Sequence, residues 1–382
     1  MRALIISTPF TGHISPTFSM AKSLCAMGHS VGYITAAQWK PAIEKIGAEI
    51  IPYASNGKLS AMITDAYKTA LSVGRHYDAI IYDELFFPGK ILGETLNVPT
   101  ARFFPCIAIN GQIMAQMLRG RGFMGIFRFG FIRKRWTKEV CKTLIPSIND
   151  WTDEVVNNAP DCNIVFVPDW FQPHLSDFPA DKYHFAGPSI YDDSETDVPD
   201  WLPGGEQPVI YVSLGTIDNS QLRFYKKCLQ AFADKNARFI VSVGSRTPIE
   251  RLGEIPPNCA VYSHAPQKKI LAYADLFVTH GGMNSVNEAM AGGVPMLLLP
   301  ISNDQPINAK RVEELGMGKI LEMRTLNEDI LWDSISTTLH DKKIQASVSL
   351  AKEKLRKNDG GETAAKILAS FRGLHSRCLP RY

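Results

Sequence analysis

The stretch Leu276-Phe-Val-Thr-His-Gly-Gly-Met-Asn-Ser-Val-Asn-Glu288 decides how this chain folds. Its apolar opening reads as a short buried strand that ends at His280. Gly281 and Gly282 let the backbone turn tightly and come close to a ligand. A helix is then expected to start near Asn284. The free N–H groups and the dipole of such a helix suit phosphate oxygens. Asn284 and Ser285 add side-chain donors, and His280 can donate from its ring. Glu288 lies one turn beyond Asn284 on the same face, where its carboxylate can accept both hydroxyls of a ribose. A plain strand–loop–helix corner capped by Asn284 would leave the same trace, because a glycine-rich turn is a weak signal alone.

The same unit opens each half of the chain. Ala3-Leu-Ile-Ile6 leads through a small-residue loop into a helix, and Val209-Ile-Tyr-Val-Ser-Leu214 leads through Gly215-Thr216 into another. Further apolar runs at 31–35, 79–82 and 100–104, and at 238–243, 260–262, 276–279 and 296–299, alternate with helical stretches. Such near-continuous apolar strands imply parallel sheets covered on both faces. In the first helix Ser15 is the expected cap and Pro16 the first position, with Met20, Leu24 and Met27 as a buried stripe ending at Gly28. The expected fold class is α/β, with two doubly wound Rossmann-like domains, and ligands belong at the C-terminal ends of their strands. The domains are placed at 1–190 and 208–382, joined by a linker at 191–207 rich in Pro, Gly and Asp. A last helical segment near 364–371 is a candidate to pack back onto the first domain.

Composition narrows the function classes. The 382 residues exceed the roughly 250–300 at which one core stops growing, so two domains are the default. Apolar residues at 45% and charged residues at 21% exclude wholesale disorder. Lys plus Arg at 41 against Asp plus Glu at 38 leaves a net charge of +3, too little for a dedicated nucleic-acid binder. The seven cysteines form no Cys-x-x-Cys pair, which suggests reduced thiols in a cytoplasmic protein and neither a disulfide framework nor a zinc site. The first apolar run is too short for a signal peptide, and none approaches the roughly 20 residues of a membrane span.

Around the opening stretch lie His264-Ala-Pro-Gln267, Gly293-Val-Pro-Met296 and Pro300-Ile-Ser-Asn-Asp304-Gln305. Together they resemble the donor-binding signature of family 1 glycosyltransferases, the UDP-glycosyltransferase superfamily, and in particular its bacterial macrolide-type members. Near the start, Thr11-Gly-His13-Ile-Ser-Pro16 is similar to the catalytic loop of that family. The resemblance implies a GT-B-like fold whose two domains face a central cleft. It implies that His280, Gly282 and the Asn284-Ser285 helix start hold the donor diphosphate and that Glu288 binds the ribose. It implies that Asp304 and Gln305 hydrogen-bond the transferred sugar, that Gln267 sits beside the base, and that Gly215 and Thr216 close over the phosphates. His264 stands where the family usually has a stacking Trp. Glu288 favours UDP over dTDP, and Gln305 leans toward glucose.

The catalytic pair is also read from the residues. His13 follows the first strand, and transfer to a hydroxyl needs a base with a near-neutral pKa. Asp83 ends the strand at 79–82 on the same sheet edge and would orient the imidazole, although the adjacent Glu84 leaves a one-residue shift open. The acceptor oxygen would attack the anomeric carbon in one displacement, giving a β-O-glycoside from a UDP-α-sugar. The UDP-sugar is a co-substrate, and neither a cofactor nor a metal is expected. The expected acceptor is a small hydrophobic natural product such as a macrolide, polyketide or flavonoid, with Phe10 and Phe86 as candidate wall residues. The alternatives are a dTDP-deoxysugar transferase, a nucleotide-sugar epimerase or hydrolase on the same scaffold, and a catalytically silent subunit.

One stretch stands apart. Residues 118–136 interleave basic and aromatic side chains. The pattern suits three settings: a loop and amphipathic helix with a solvated basic face, the lining of an acceptor pocket, or contact with an anionic membrane surface.

Overall fold

A computed structural model describes residues 1–53, 57–142, 147–191, 197–202, 205–216 and 220–371. The linker residues 192–196 and 203–204, together with His375 and Cys378, lie outside the described residues. The chain forms two compact units, one from Met1–Tyr191 with Asn358–Tyr382 and the other from Asp192–Lys357.

The first unit is built on seven strands: β1 (Arg2–Ile6), β2 (Ser30–Thr35), β3 (Glu49–Pro52), β4 (Ala79–Asp83), β5 (Thr100–Phe104), β6 (Cys162–Val165) and β7 (Tyr183–Phe185). They lie in the order β3-β2-β1-β4-β5-β6-β7, and all neighbours are parallel. β4 is buried at every position, as its unbroken apolar run requires. β6 carries a buried Asn163 whose Oδ1 accepts from Nε of the buried Arg102 on β5 at 3.0 Å.

The second unit has six strands: β8 (Val209–Ser213), β9 (Arg238–Ser242), β10 (Cys259–Tyr262), β11 (Leu276–Thr279), β12 (Met296–Leu298) and β13 (Gly318–Ile320). Their order is β10-β9-β8-β11-β12-β13, again all parallel. Each sheet therefore starts with a central strand, grows to one side, and then returns to add strands on the other. The chain reverses this growth between β1 and β4 in one unit and between β8 and β11 in the other, and such switch points leave a crevice at the strand ends.

Local expectations change in the first helix. The first helix spans Thr11–Ala26 and not a segment capped by Ser15. The N–H groups of His13 and Ile14 both donate to the Phe10 carbonyl, so the helix is under way before Pro16. Pro16 forfeits only the bond to the Gly12 carbonyl, in the first turn, and the helix runs through it. Met27 falls at the C-terminal cap and is exposed, so it is not part of the buried stripe. The helix Gly360–Ser370 belongs to the first unit, not to the one that precedes it in sequence. Its Ala364, Ala365 and Leu368 share a core with Ile14, Phe18 and Leu24 of the first helix. Ser19 Oγ donates to Asp359 at the start of this last helix at 3.2 Å. Among the described residues no helix is long and apolar enough to cross a membrane.

Candidate active site

The first switch point gathers the loop after β1 and the end of β4. Parallel pairing sets Ile6 beside Tyr82, so Thr8 and His13 on one connection meet Asp83 on the other. Asp83 is wholly buried and accepts four hydrogen bonds. Its Oδ1 accepts from Nδ1 of His13 at 3.0 Å and from Leu85 N at 2.9 Å. Its Oδ2 accepts from Thr8 Oγ1 at 2.7 Å and from Thr8 N at 3.2 Å. Burial alone would push this carboxyl up. The His13 charge, with hydrogen bonds from His13, Glu84 and Thr8, outweighs burial and holds it at about 2. A carboxylate only accepts, so the ring nitrogen facing it carries the hydrogen, and Nε2 of His13 is left as a base. Phe10 packs beside the imidazole, ring centroids 6.0 Å apart.

Glu84 is also buried, with Oε1 3.8 Å from His13 Nδ1 and within reach of Cys106 Sγ. Burial and the Asp83 charge push its carboxyl well above the usual range, so it holds its proton and can donate to Asp83. Asp83, and not its neighbour, is therefore the ionised partner of His13. Ligand atoms of His13, Asp83 and Glu84 lie within 4.8 Å of one another, a spacing that a small cation could also bridge.

The second switch point joins the loops after β8 and β11. Gly215 has φ +76°, and a Cβ there would stand 2.6 Å from the His280 ring. A Cβ on Gly282 would meet the same ring at 2.5 Å. The imidazole thus fills a slot that only these two glycines leave open. The helix after it spans Met283–Gly292, with Gly282 at its N-cap and no side-chain cap. Asn284 and Glu288 are half-buried on one face of this helix, and Ser285 is buried beside them. Gln267 Nε2 donates to Glu288 Oε2 at 2.7 Å and to Ser285 Oγ at 3.2 Å. The loop after β12 brings Asp304 to the same strand edge, where Asn308 Nδ2 bonds both its Oδ2, at 2.7 Å, and the Gly281 carbonyl, at 3.1 Å. Gln305 Oε1 is spent on the N–H groups of Ile301 and Ser302, which shapes that loop. His264 and Thr216 are exposed.

The sequence-derived residues thus fall into two groups, one per unit. Phe86 differs from Phe10: it is only 2% exposed and packs against Tyr82, which leaves it no surface to offer a ligand. Sequence reasoning missed Thr8 and Asn308. Thr8 stands two residues past β1 and Asn308 one helical turn past Asp304, and those spacings are the only local signals of their roles.

Comparison with known proteins gives these groups a setting. Residues 192–353 match the family described as UDP-glucoronosyl and UDP-glucosyl transferase. The chain is 29% identical to the NDP-glycosyltransferase YjiC of Bacillus subtilis, covering 96% of each. It is 25% identical to the oleandomycin glycosyltransferase of Streptomyces antibioticus, covering 97% of this chain and 90% of that one. Among solved structures, the glycotransferase of kitacinnamycin matches with a TM-score of 0.80 at 28% identity over 98% of this chain and 99% of that one. The glycosyltransferase VinC, solved in complex with dTDP, shares the fold with a TM-score of 0.72 at 19% identity, covering 98% of this chain and 100% of that one. The chain is thus similar along nearly its whole length to bacterial glycosyltransferases, and its two Rossmann-like units share the fold of those enzymes.

Proposed function

We propose that the protein moves a hexose, with glucose favoured, from a UDP-sugar to a hydroxyl of a hydrophobic natural product, with inversion. The observation that carries this reading is the His13 Nδ1 to Asp83 Oδ1 contact at 3.0 Å, which leaves Nε2 as a base at a strand-end crevice. In this reading Nε2 takes the acceptor's proton as its oxygen attacks the anomeric carbon. The buried Asp83 carboxylate stabilises the imidazolium that forms. The sugar–phosphate bond breaks on the opposite face, so the product is a β-glycoside. The leaving diphosphate meets the N-terminal end of the helix Met283–Gly292, with His280 and Asn284. Fixed dipoles of this kind stabilise developing charge without a cation, so the activity is expected to survive a chelator. Glu288 takes the ribose hydroxyls, exchanging its bond with Gln267, and Asp304 addresses the sugar, with the Gln305 amide nitrogen beside it. Free cysteines among the described residues favour a cytoplasmic setting.

The test measures nucleoside diphosphate release from UDP-glucose with phenolic and macrolide acceptors, in chelator, on wild type and His13→Ala. Acceptor-dependent release with a product one hexose heavier, reduced by about a hundredfold or more in the variant, is expected. UDP binding should be unchanged in the variant, because His13 lies on the other unit from the diphosphate residues. Full activity without His13 overturns the mechanism. A dTDP-sugar donor is the second reading, because the exposed imidazole of His264 offers little stacking area and does not itself select the base. It is tested by running the same panel with dTDP-glucose.

A further inference from the structure

The segment 118–138 is not used by the proposed chemistry, yet it carries the most unusual surface of the first unit. Seven basic residues fall in it (Arg119, Arg121, Arg128, Arg133, Lys134, Arg135 and Lys138) and no acidic one, in a chain whose net charge is +3. Six of the seven are exposed, and Arg133 is half-buried in a pair with Asp150 at 2.7 Å. Among the described residues no ion pair engages the other six. Phe123, Ile126, Phe129 and Phe131 are exposed as well, Phe131 at 74%.

These side chains are held on a fixed base. Phe127 is buried with its ring 5.2 Å from Trp136 and 5.7 Å from Trp151, and Arg133 ties the base to Asp150. On the helix Gly130–Cys141, Thr137, Val140 and Cys141 face inward. The opposite face shows Phe131, Lys134, Arg135 and Lys138 at helical spacing. Just before it, Arg128 lies over the Phe129 ring, and the Phe129 and Phe131 rings are 6.0 Å apart. Water is a poor partner for large apolar groups such as the adjoining Phe129 and Phe131 rings, and an exposed surface of that kind marks a contact site. The surplus of positive charge around them, against one exposed acid at Glu139, selects the partner.

We propose that this face docks on an anionic lipid bilayer, with the apolar tips entering the headgroup boundary and the basic residues meeting the lipid phosphates. An aromatic tip beside a cationic helix face is the pattern of an interfacial contact, and each basic residue near such a surface adds a salt-sensitive attraction. The inference does not rest on the proposed activity.

The test is flotation of the full chain with vesicles of phosphatidylcholine alone or with about a third phosphatidylglycerol. Wild type is expected to float with the anionic vesicles, to stay behind with the neutral ones, and to be released at about 0.5 M salt. Lys134→Ser with Arg135→Ser should weaken partitioning about fivefold per charge removed. Phe129→Ser with Phe131→Ser should abolish it while the circular dichroism spectrum stays that of wild type. Absence of flotation, or equal flotation with neutral vesicles, overturns the proposal. So does a phenylalanine variant that still floats but binds soluble acceptor more weakly, which would assign the face to the acceptor.

Discussion

Replacing Asp83 by Asn changes one atom at the centre of the first unit's site, and the hydrogen bonds around that atom set the consequences. The carboxylate accepts from His13, Leu85 and twice from Thr8. An amide has one oxygen, so either the Thr8 N–H or the Leu85 N–H must face an NH2 group. A buried donor left unpaired costs about 1–3 kcal/mol. The fall of the Asp83 carboxyl from the ordinary 3.8 to about 2 gives an independent figure of about 2 kcal/mol favouring the charged over the neutral group. The melting temperature should therefore drop by about 5 °C near neutral pH. The sign with pH is fixed. The depressed carboxyl stabilises the fold above 3.8 and loses that contribution as pH falls toward about 2, so the variant should lack this acid limb. If the amide keeps its oxygen toward His13, the tautomer survives but the imidazolium loses its counter-charge. If it turns, Nε2 is no longer the base. Either way kcat should fall about a thousandfold or more while donor binding holds. Calorimetry across pH and initial rates of nucleoside diphosphate release measure both quantities. A variant within about tenfold of wild-type kcat would refute the role given to this contact.

The other perturbations probe single contacts. Glu84→Gln removes a carboxyl that folding holds protonated. As pH rises above 4.5 the unfolded chain ionises Glu84 and the folded one does not, so wild type loses stability through that window and the variant does not. The melting-temperature advantage of Glu84→Gln should therefore grow from acid to neutral pH, and a flat difference would contradict the assignment. Gly215→Ala places a Cβ 2.6 Å from the His280 ring at a left-handed φ. It should raise the donor KM about tenfold and cost about 1 kcal/mol of stability, read from saturation kinetics and thermal melts. Asn308→Ala strands the Gly281 carbonyl and one Asp304 oxygen, which should cost about 1–3 kcal/mol in chemical denaturation.

Much of the fold was open to reading in the primary structure, for a physical reason. A strand buried on both faces needs an unbroken apolar run, and eight of the strands carry one, from Ala3-Leu-Ile-Ile6 to the run at Met296, while β5 buries Arg102 within its run. β3, β6, β7 and β13 do not. They are three or four residues long, with Asn163 or Lys319 inside, and they are strands because a neighbour already in the sheet offers its open edge. Strand-end position marked His13, Asp83 and His280 as candidates, because parallel sheets put chemistry at the C-terminal ends of their strands.

Distances across the chain were not legible. Nothing local says that Thr8 bonds Asp83 from 75 positions away, or that Gly215 leaves room for the ring of His280. Nor does composition say which of Asp83 and Glu84 is ionised, since burial, His13 and Thr8 decide that together. The helix Gly360–Ser370 returns to the first unit because its small apolar face completes the core around Ile14 and Phe18. Local sequence thus determined the elements and their edges, through periodicity and turn chemistry. Tertiary structure alone decided which edges meet, because pairing, burial and charge depend on partners that only the folded chain brings within a few ångströms.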